Sequence, residues 1–150
     1  MKLNSRKLDR RQRICHIHSK IAKPIMKINT FDIDGVIYFG EEVTGVRPCT
    51  NDIIITGRPY SDMRETKNML EDRMIYNKVY MNPLSKEDEG YSRKSSGIFK
   101  AHIITMLKEL GYEIGMHFED DPIQIAEIKK VHPHLSIVHL VRENEERVKY

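Results

Sequence analysis

Two aspartates separated by one residue, Asp32 and Asp34, follow an apolar run and precede a glycine in the stretch FDIDGV. Carboxylates this close together repel each other and are costly to bury. A divalent cation among them offsets that cost, and hard carboxylate oxygens favour Mg²⁺ over softer metals. The pair therefore predicts metal-assisted chemistry at the end of a strand.

Further polar groups follow other apolar runs or lie near the start of a predicted helix: Thr56 with Gly57, Lys100, and Glu119 with Asp120 and Asp121. Parallel sheets bind ligands at the carboxyl ends of their strands, so these groups should converge on one rim. A hydroxyl, a backbone amide and an ammonium beside a cation form an anion site suited to phosphate. This inventory predicts phosphoryl transfer, with one carboxylate as nucleophile and a second as general acid and base.

Alternating strand and helix signals explain how these groups would be positioned. Short apolar runs predict strands at 25–33, 52–56, 78–82, 114–119 and 135–141. Apolar residues near helical spacing predict helices at 60–75, 98–111 and 121–132. The remaining segments predict a hairpin or flap at 38–50 and a polar loop at 83–97. Strands that alternate with helices predict an α/β fold with a parallel sheet.

The charge of the chain is unevenly distributed. The 150-residue sequence is 39% hydrophobic and 31% charged, which is typical of a globular domain. Residues 1–27 carry nine Lys and Arg side chains and one Asp, a net charge of +8, whereas the rest carries −5. Residues 1–25 therefore form a basic arm, for which four interpretations stay open. The first is an arm that contacts nucleic-acid phosphates, and the second is a transit peptide. The third is a solvated tail, and the fourth is that the true start of the protein is Met26.

Other features bear on the compartment. The sequence contains no apolar run of the roughly eighteen residues that a membrane span needs, so no membrane partner is expected. Cys15 and Cys49 lie in no metal or redox spacing, which favours a reduced, cytoplasmic environment over a disulfide framework.

The segments DIDGV, IIITGR, FK and EDD, in this order, resemble the four motifs of the haloacid dehalogenase superfamily over roughly residues 27–141. The resemblance implies a Rossmann-like three-layer sandwich with a central parallel sheet. It divides the chain into the basic arm, a hydrolase domain over 26–142 and a polar tail over 143–150. Only twenty-one residues separate Asp34 from Thr56, so a large cap domain is not expected.

The resemblance also implies roles for the residues of the first two motifs. Asp32 would be the nucleophile that forms an aspartyl-phosphate. Asp34 would be the general acid and base, with its backbone carbonyl on Mg²⁺. Thr56 and the Gly57 amide would hold the phosphoryl group, and Gly35 would permit the tight turn after the aspartates.

The last two motifs would complete the site. Lys100 would link the nucleophile to the phosphate, with Lys94 as the alternative. Asp120 and Asp121 would join Asp32 and Asp34 in the magnesium site. Glu119 is the alternative to Asp121 near the metal, or else forms an outward salt bridge.

An open site without a cap admits bulky substrates, and the acidic pair followed by PIQIAEI is faintly similar to the phosphatase half of polynucleotide kinase-phosphatases. The expected function is a Mg²⁺-dependent phosphomonoesterase that acts on a nucleotide or a nucleic-acid end. Two alternatives stay open. One is a small-molecule phosphatase such as a mononucleotidase, and the other is a non-catalytic nucleic-acid-binding module that keeps the fold.

Overall fold

The computed structural model describes residues 26–40, 43 and 45–141. The described elements are, in chain order, β1 (Met26–Phe31), β2 (Ile53–Pro59), α1 (Met63–Glu71), β3 (Val79–Asn82), α2 (Arg93–Glu109), β4 (Tyr112–Glu119), α3 (Pro122–Val131) and β5 (Ser136–His139). A 3₁₀ turn, Tyr60–Asp62, leads from β2 into α1. The basic arm and the polar tail lie outside the described residues.

The strands form one sheet in the order β3-β2-β1-β4-β5, and every neighbouring pair is parallel. All seven residues of β2 are buried, which agrees with its continuous apolar run. The predicted α/β fold with a central parallel sheet is therefore confirmed, and the strand order is compatible with a Rossmann-like fold. The order reverses between β1 and β4, which is where open α/β sheets bind ligands.

Apolar residues pack on both faces of the sheet. On one face, Ile53 and Ile55 of β2 pack with Ile104 and Leu107 of α2 and with Ile128 of α3. The intervening Ile54 faces the opposite side and packs with Ile33, Val36 and Leu70, the last of which belongs to α1. Because successive strand residues point to opposite faces, one strand supplies both cores and the helices form a layer on each side.

The predicted polar loop at 83–97 was wrong at its end, because α2 begins at Arg93, five residues before the predicted start at 98. Ser92 caps this helix in a capping box: its hydroxyl accepts from the Ser95 amide, and its own amide donates to the Ser95 hydroxyl. Gly97 lies inside the helix, where a Cβ atom would come within 2.9 Å of the Gln124 Cα atom of α3. Helix capping and close helix packing thus account for the polar start of α2.

The segment after β1 contains no strand in its described residues between 38 and 50. Instead the Gly45 and Val46 amides donate to the Ile37 and Val36 carbonyls at 3.0 and 2.8 Å, so the segment folds back on the loop that follows β1. Of the two predicted alternatives, the described residues of this segment show no hairpin, and their irregular structure is compatible with a flap. None of the helices in the described part of the chain has the length and apolar character that crossing a membrane requires.

Candidate functional site

The reversal point of the sheet carries a buried group of charged side chains, here called the Lys100 cluster: Asp32, Lys100, Glu119 and Asp120. Asp32 follows β1, Glu119 ends β4, and Lys100 projects from α2. The Lys100 Nζ atom lies 3.1 Å from Asp32 Oδ1 and 2.6 Å from Glu119 Oε2, and the lysine side chain is 0% exposed. Asp32, Glu119 and Asp120 each offer a carboxylate oxygen, and these oxygens lie within 4.8 Å of one another.

The charges in the Lys100 cluster do not balance. Burial, reinforced by the negative charge of Glu119, raises the pKa of Asp32 well above its usual range, although Lys100 acts in the opposite direction. Burial alone lowers the pKa of Lys100, but the carboxylates of Asp32 and Glu119 outweigh it, so that the pKa is raised. Lys100 is therefore charged. Within the cluster one ammonium faces three carboxyl groups, and Asp120 also interacts electrostatically with Arg93, which lies outside the cluster. Such a donor set favours an added cation.

Two uncharged polar residues extend the Lys100 cluster into the sheet. Thr30 of β1 lies opposite His117 of β4 in the strand register, and both side chains are fully buried. The Thr30 hydroxyl lies 2.7 Å from His117 Nδ1, and His117 Nε2 lies 3.2 Å from Glu119 Oε2. Burial and the nearby Lys100 charge lower the pKa of His117 to about 3, so the ring is neutral at pH 7. The motifs of the sequence did not include His117 in the candidate site.

Asp34 lies near enough to Asp32 to act on its pKa electrostatically, and it pairs with Arg58 in an arrangement here called the Arg58 pair. Asp34 Oδ2 accepts from Arg58 Nε at 2.8 Å, and Oδ1 accepts from Nη2 at 2.7 Å. The Arg58 Nη1 atom reaches the Thr66 hydroxyl of α1 at 3.5 Å. Sequence reasoning left Arg58 out of the site, and its position directly after Thr56-Gly57 was the one available signal.

Thr56 and Gly57 lie in β2, the neighbour of β1, where Phe31 is opposite Ile54. The Thr56 hydroxyl oxygen accepts from the Arg58 amide at 3.1 Å, at the point where the pairing of β2 with β3 shifts register between Thr56 and Pro59. The Tyr91 hydroxyl donates to the Gly57 carbonyl at 2.9 Å from the loop before α2. Both hydrogen bonds fix the chain at the carboxyl end of β2, next to the loop that carries Asp32.

Asp121, predicted as a metal ligand, has other partners in the structure. Its two oxygens accept from Arg93 Nε and Nη2 at 2.7 and 2.8 Å, and Oδ1 also accepts from the Ile123 amide at the start of α3. Although burial acts in the opposite direction, these hydrogen bonds lower the pKa of Asp121. The structure brings Glu119, rather than Asp121, close to Asp32 and Asp120.

The two candidate lysines differ sharply in their surroundings. Lys100 is buried against Asp32, whereas Lys94 is exposed on the first turn of α2. Gly35 has a positive φ of 76°, and a Cβ atom there would overlap the carboxylate of Asp120. The glycine thus serves the tight turn and also leaves the space in which the Asp120 side chain lies.

Comparison with known proteins adds no assignment to this geometry. No protein-family model matches the sequence, and no curated protein matches it. The relationship to the haloacid dehalogenase superfamily therefore stays a prediction from the four motifs.

Proposed function

We propose that this chain is a Mg²⁺-dependent phosphomonoesterase of the haloacid dehalogenase type, in which Asp32 is the nucleophile. The observation that carries the proposal is the 3.1 Å contact between a fully buried Lys100 ammonium and Asp32, within a group of three carboxyl groups. Burying an ammonium is costly, and burying more carboxyl groups than it can pair with is a further cost to stability. Strongly perturbed charges at the ligand-binding edge of a sheet are characteristic of a reactive site.

A magnesium ion fits the donor set of this site. Asp32, Glu119 and Asp120 would hold it through carboxylate oxygens, with the Asp34 backbone carbonyl as a further ligand. When bound, the ion would neutralise carboxylate charge and polarise the phosphoryl oxygens. Asp121 is left out of this set because its oxygens bind Arg93.

The residues of the chain supply the chemical steps. Asp34 takes a proton from solvent when Arg58 releases one of its oxygens, and it then acts as the general acid. An Asp32 oxygen attacks phosphorus, the bond to the leaving oxygen breaks, and Asp34 gives that oxygen its proton. Asp34 then takes a proton from water, which attacks the phosphoryl group, releases phosphate and restores the Asp32 carboxylate. Because Arg58 holds both Asp34 oxygens, it must release one of them when substrate binds.

Other residues stabilise the charge that develops on the phosphoryl group. Lys100 neutralises negative charge beside Asp32, and the Thr56 hydroxyl and the Gly57 amide donate to the phosphoryl oxygens. Hydrogen bonds at the carboxyl end of β2 keep both donors in fixed positions before substrate arrives.

The activity is tested with an aryl phosphate, in the presence of Mg²⁺ and with a chelator. We expect turnover that requires the metal and is lost in Asp32→Asn, which keeps the side-chain shape but removes the nucleophile. A folded protein with no turnover on a broad panel of phosphomonoesters would contradict the proposal. It would favour the non-catalytic module instead.

The substrate class is a nucleotide or a nucleic-acid terminal phosphate. The support for the larger substrate is the charge of +8 on residues 1–27, most of which lie outside the described residues. The test replaces Arg10, Arg11 and Arg13 together by Gln and compares oligonucleotide with mononucleotide substrates. A nucleic-acid role predicts weaker, less salt-dependent use of the oligonucleotide alone. Equal kinetics of parent and variant on both substrates would favour a small-molecule phosphatase.

A further inference from the structure

The buried polar residues beside the Lys100 cluster follow the alternation of the two central strands. Thr30 lies within β1, and Asp32 follows two residues later, just after the strand. His117 and Glu119 are likewise two residues apart, both within β4. Residues two apart in a strand share a face, and Thr30 pairs with His117 across the sheet. All four side chains therefore face the same side as Lys100 on α2, where Thr30, His117 and Glu119 are fully buried.

The hydrogen bonds among these residues converge on the Glu119 carboxylate. Glu119 Oε2 accepts from Lys100 at 2.6 Å and can only accept again from His117 Nε2, so Nε2 carries the ring proton. The other nitrogen, Nδ1, then accepts from the Thr30 hydroxyl at 2.7 Å. Both ring nitrogens of His117 thus have a partner, which fixes the orientation of the ring and of the carboxylate.

We propose that His117 and Thr30 are positioning residues, which fix the Glu119 carboxylate and, through it, hold the Lys100 ammonium beside Asp32. This inference rests on the proposed function, because it assigns the two residues to the same site. Two donors from different elements, His117 and Lys100, meet at one oxygen of Glu119. The other oxygen, Oε1, accepts from the Asp120 and Asp121 amides at the longer distances of 3.3 and 3.4 Å. Without the imidazole donor, these weaker contacts let the carboxylate turn, and the ammonium follows its tightest partner away from Asp32.

The test compares two amides that differ by one methylene group. His117→Gln places an amide nitrogen near the position of Nε2 and keeps a donor for Glu119. His117→Asn is too short to reach it. Thr30→Val removes the hydroxyl that orients the ring while keeping the shape of the side chain, and it serves if the Asn variant does not fold. Mn²⁺ is the probe for the metal site, and an aryl phosphate is the probe for turnover.

We expect His117→Gln to stay within about threefold of the parent in Mn²⁺ affinity and turnover. His117→Asn should lose about 10- to 100-fold in both, the usual effect of removing a partner of a metal ligand. Thr30→Val should lose affinity in the same direction. The two His117 variants should have similar melting temperatures. A purely structural role would lower the melting temperature of both variants without separating their Mn²⁺ affinities.

Equal Mn²⁺ affinities in the Gln and Asn variants would overturn the inference and leave the phosphatase proposal standing. The opposite result also distinguishes the two proposals. If the parent shows no turnover but the Gln and Asn variants still differ in Mn²⁺ affinity, the phosphatase proposal is contradicted and the positioning inference stands. Nitrogen NMR of the parent gives a direct reading of the ring. A proton on Nε2 of a neutral His117 supports the inference, and a proton on Nδ1 overturns it.

Discussion

Two buried charged groups lie on opposite faces of one sheet and are built differently. The Arg58 pair, on the side of α1, joins one guanidinium to one carboxylate with both Asp34 oxygens hydrogen-bonded. The Lys100 cluster, on the side of α2, sets one ammonium against three carboxyl groups. The pair is balanced within the protein, whereas the cluster gains from a further cation. We therefore expect the two groups to respond differently to the loss of a carboxylate, because breaking a balanced buried pair leaves an uncompensated charge.

The largest expected effect is on catalysis at the balanced pair. Asp34→Asn should lower the turnover of the aryl phosphate by about a hundred- to ten-thousand-fold, because general acid and base catalysis is typically worth that factor. Steady-state kinetics at saturating Mg²⁺ provide the measurement. Parent-like turnover in this variant would show that the Arg58 pair serves the fold alone.

Unfolding equilibria of the matched Asn variants test the comparison itself. Asp34→Asn removes the carboxylate that pairs with the buried Arg58 charge, so the free energy of unfolding should fall by about 3–5 kcal/mol. Asp32→Asn should leave it unchanged or raise it in metal-free buffer, because burial and Glu119 already disfavour the charged carboxylate. Chemical denaturation at pH 7 measures both changes. If the two variants lose the same stability, the distinction between balanced and unbalanced groups is wrong.

A smaller effect is expected from Gly35→Ala. The new methyl group would overlap the Asp120 carboxylate, and the φ of 76° strains any side chain by about 1–3 kcal/mol. We expect lower stability and weaker Mn²⁺ binding together. Gly111→Ala is the control: it also has a positive φ, but a Cβ atom there meets no atom within 4 Å. It should lose stability and keep its Mn²⁺ affinity, and equal affinity losses would exclude the Asp120 contact as the cause.

The last expected effect concerns acid stability. The folded pKa of His117 is about 3, below its unfolded value near 6.5, so the unfolded chain binds the proton first as the pH falls. Stability from this group is present above about pH 6.5 and is lost toward pH 3, by up to about 1.4 kcal/mol per pH unit. The difference between parent and His117→Gln isolates it, since Asp32 titrates in both. Parallel pH profiles of the two proteins between pH 7 and 5 would contradict the buried neutral ring.

The sequence predicted the positions of the strands well because each is a short apolar run whose burial leaves little choice of structure. It placed the start of α2 too late, since the residues from Arg93 to Gly97 are polar or helix-breaking and the reasons for the helix lie elsewhere. One reason is the Ser92 cap and the other is contact with α3. Patterns along the chain register apolar periodicity more readily than contacts between helices.

The candidate site was predicted by residue type but not by partner. Asp120 and Asp121 are adjacent and chemically identical, yet one faces the Lys100 cluster and the other accepts from Arg93. Glu119, an alternative on the sequence, is the closest partner of Lys100. The pairing of Arg58 with Asp34 depends on two strands meeting side by side. Which carboxylate meets which cation is decided by the direction of each side chain, and this requires the folded backbone.

Gly97 has a consequence for the motion of the molecule. Without a side chain at this position, the backbones of α2 and α3 touch near Gln124, and Lys100 follows one turn later in α2. Helices in such close contact open together rather than one at a time, so their central amides should exchange with solvent deuterium at a common opening free energy. The Lys100 ammonium is then held by a pair of packed helices. We expect its position beside Asp32 to fluctuate less than it would on a helix without such a neighbour.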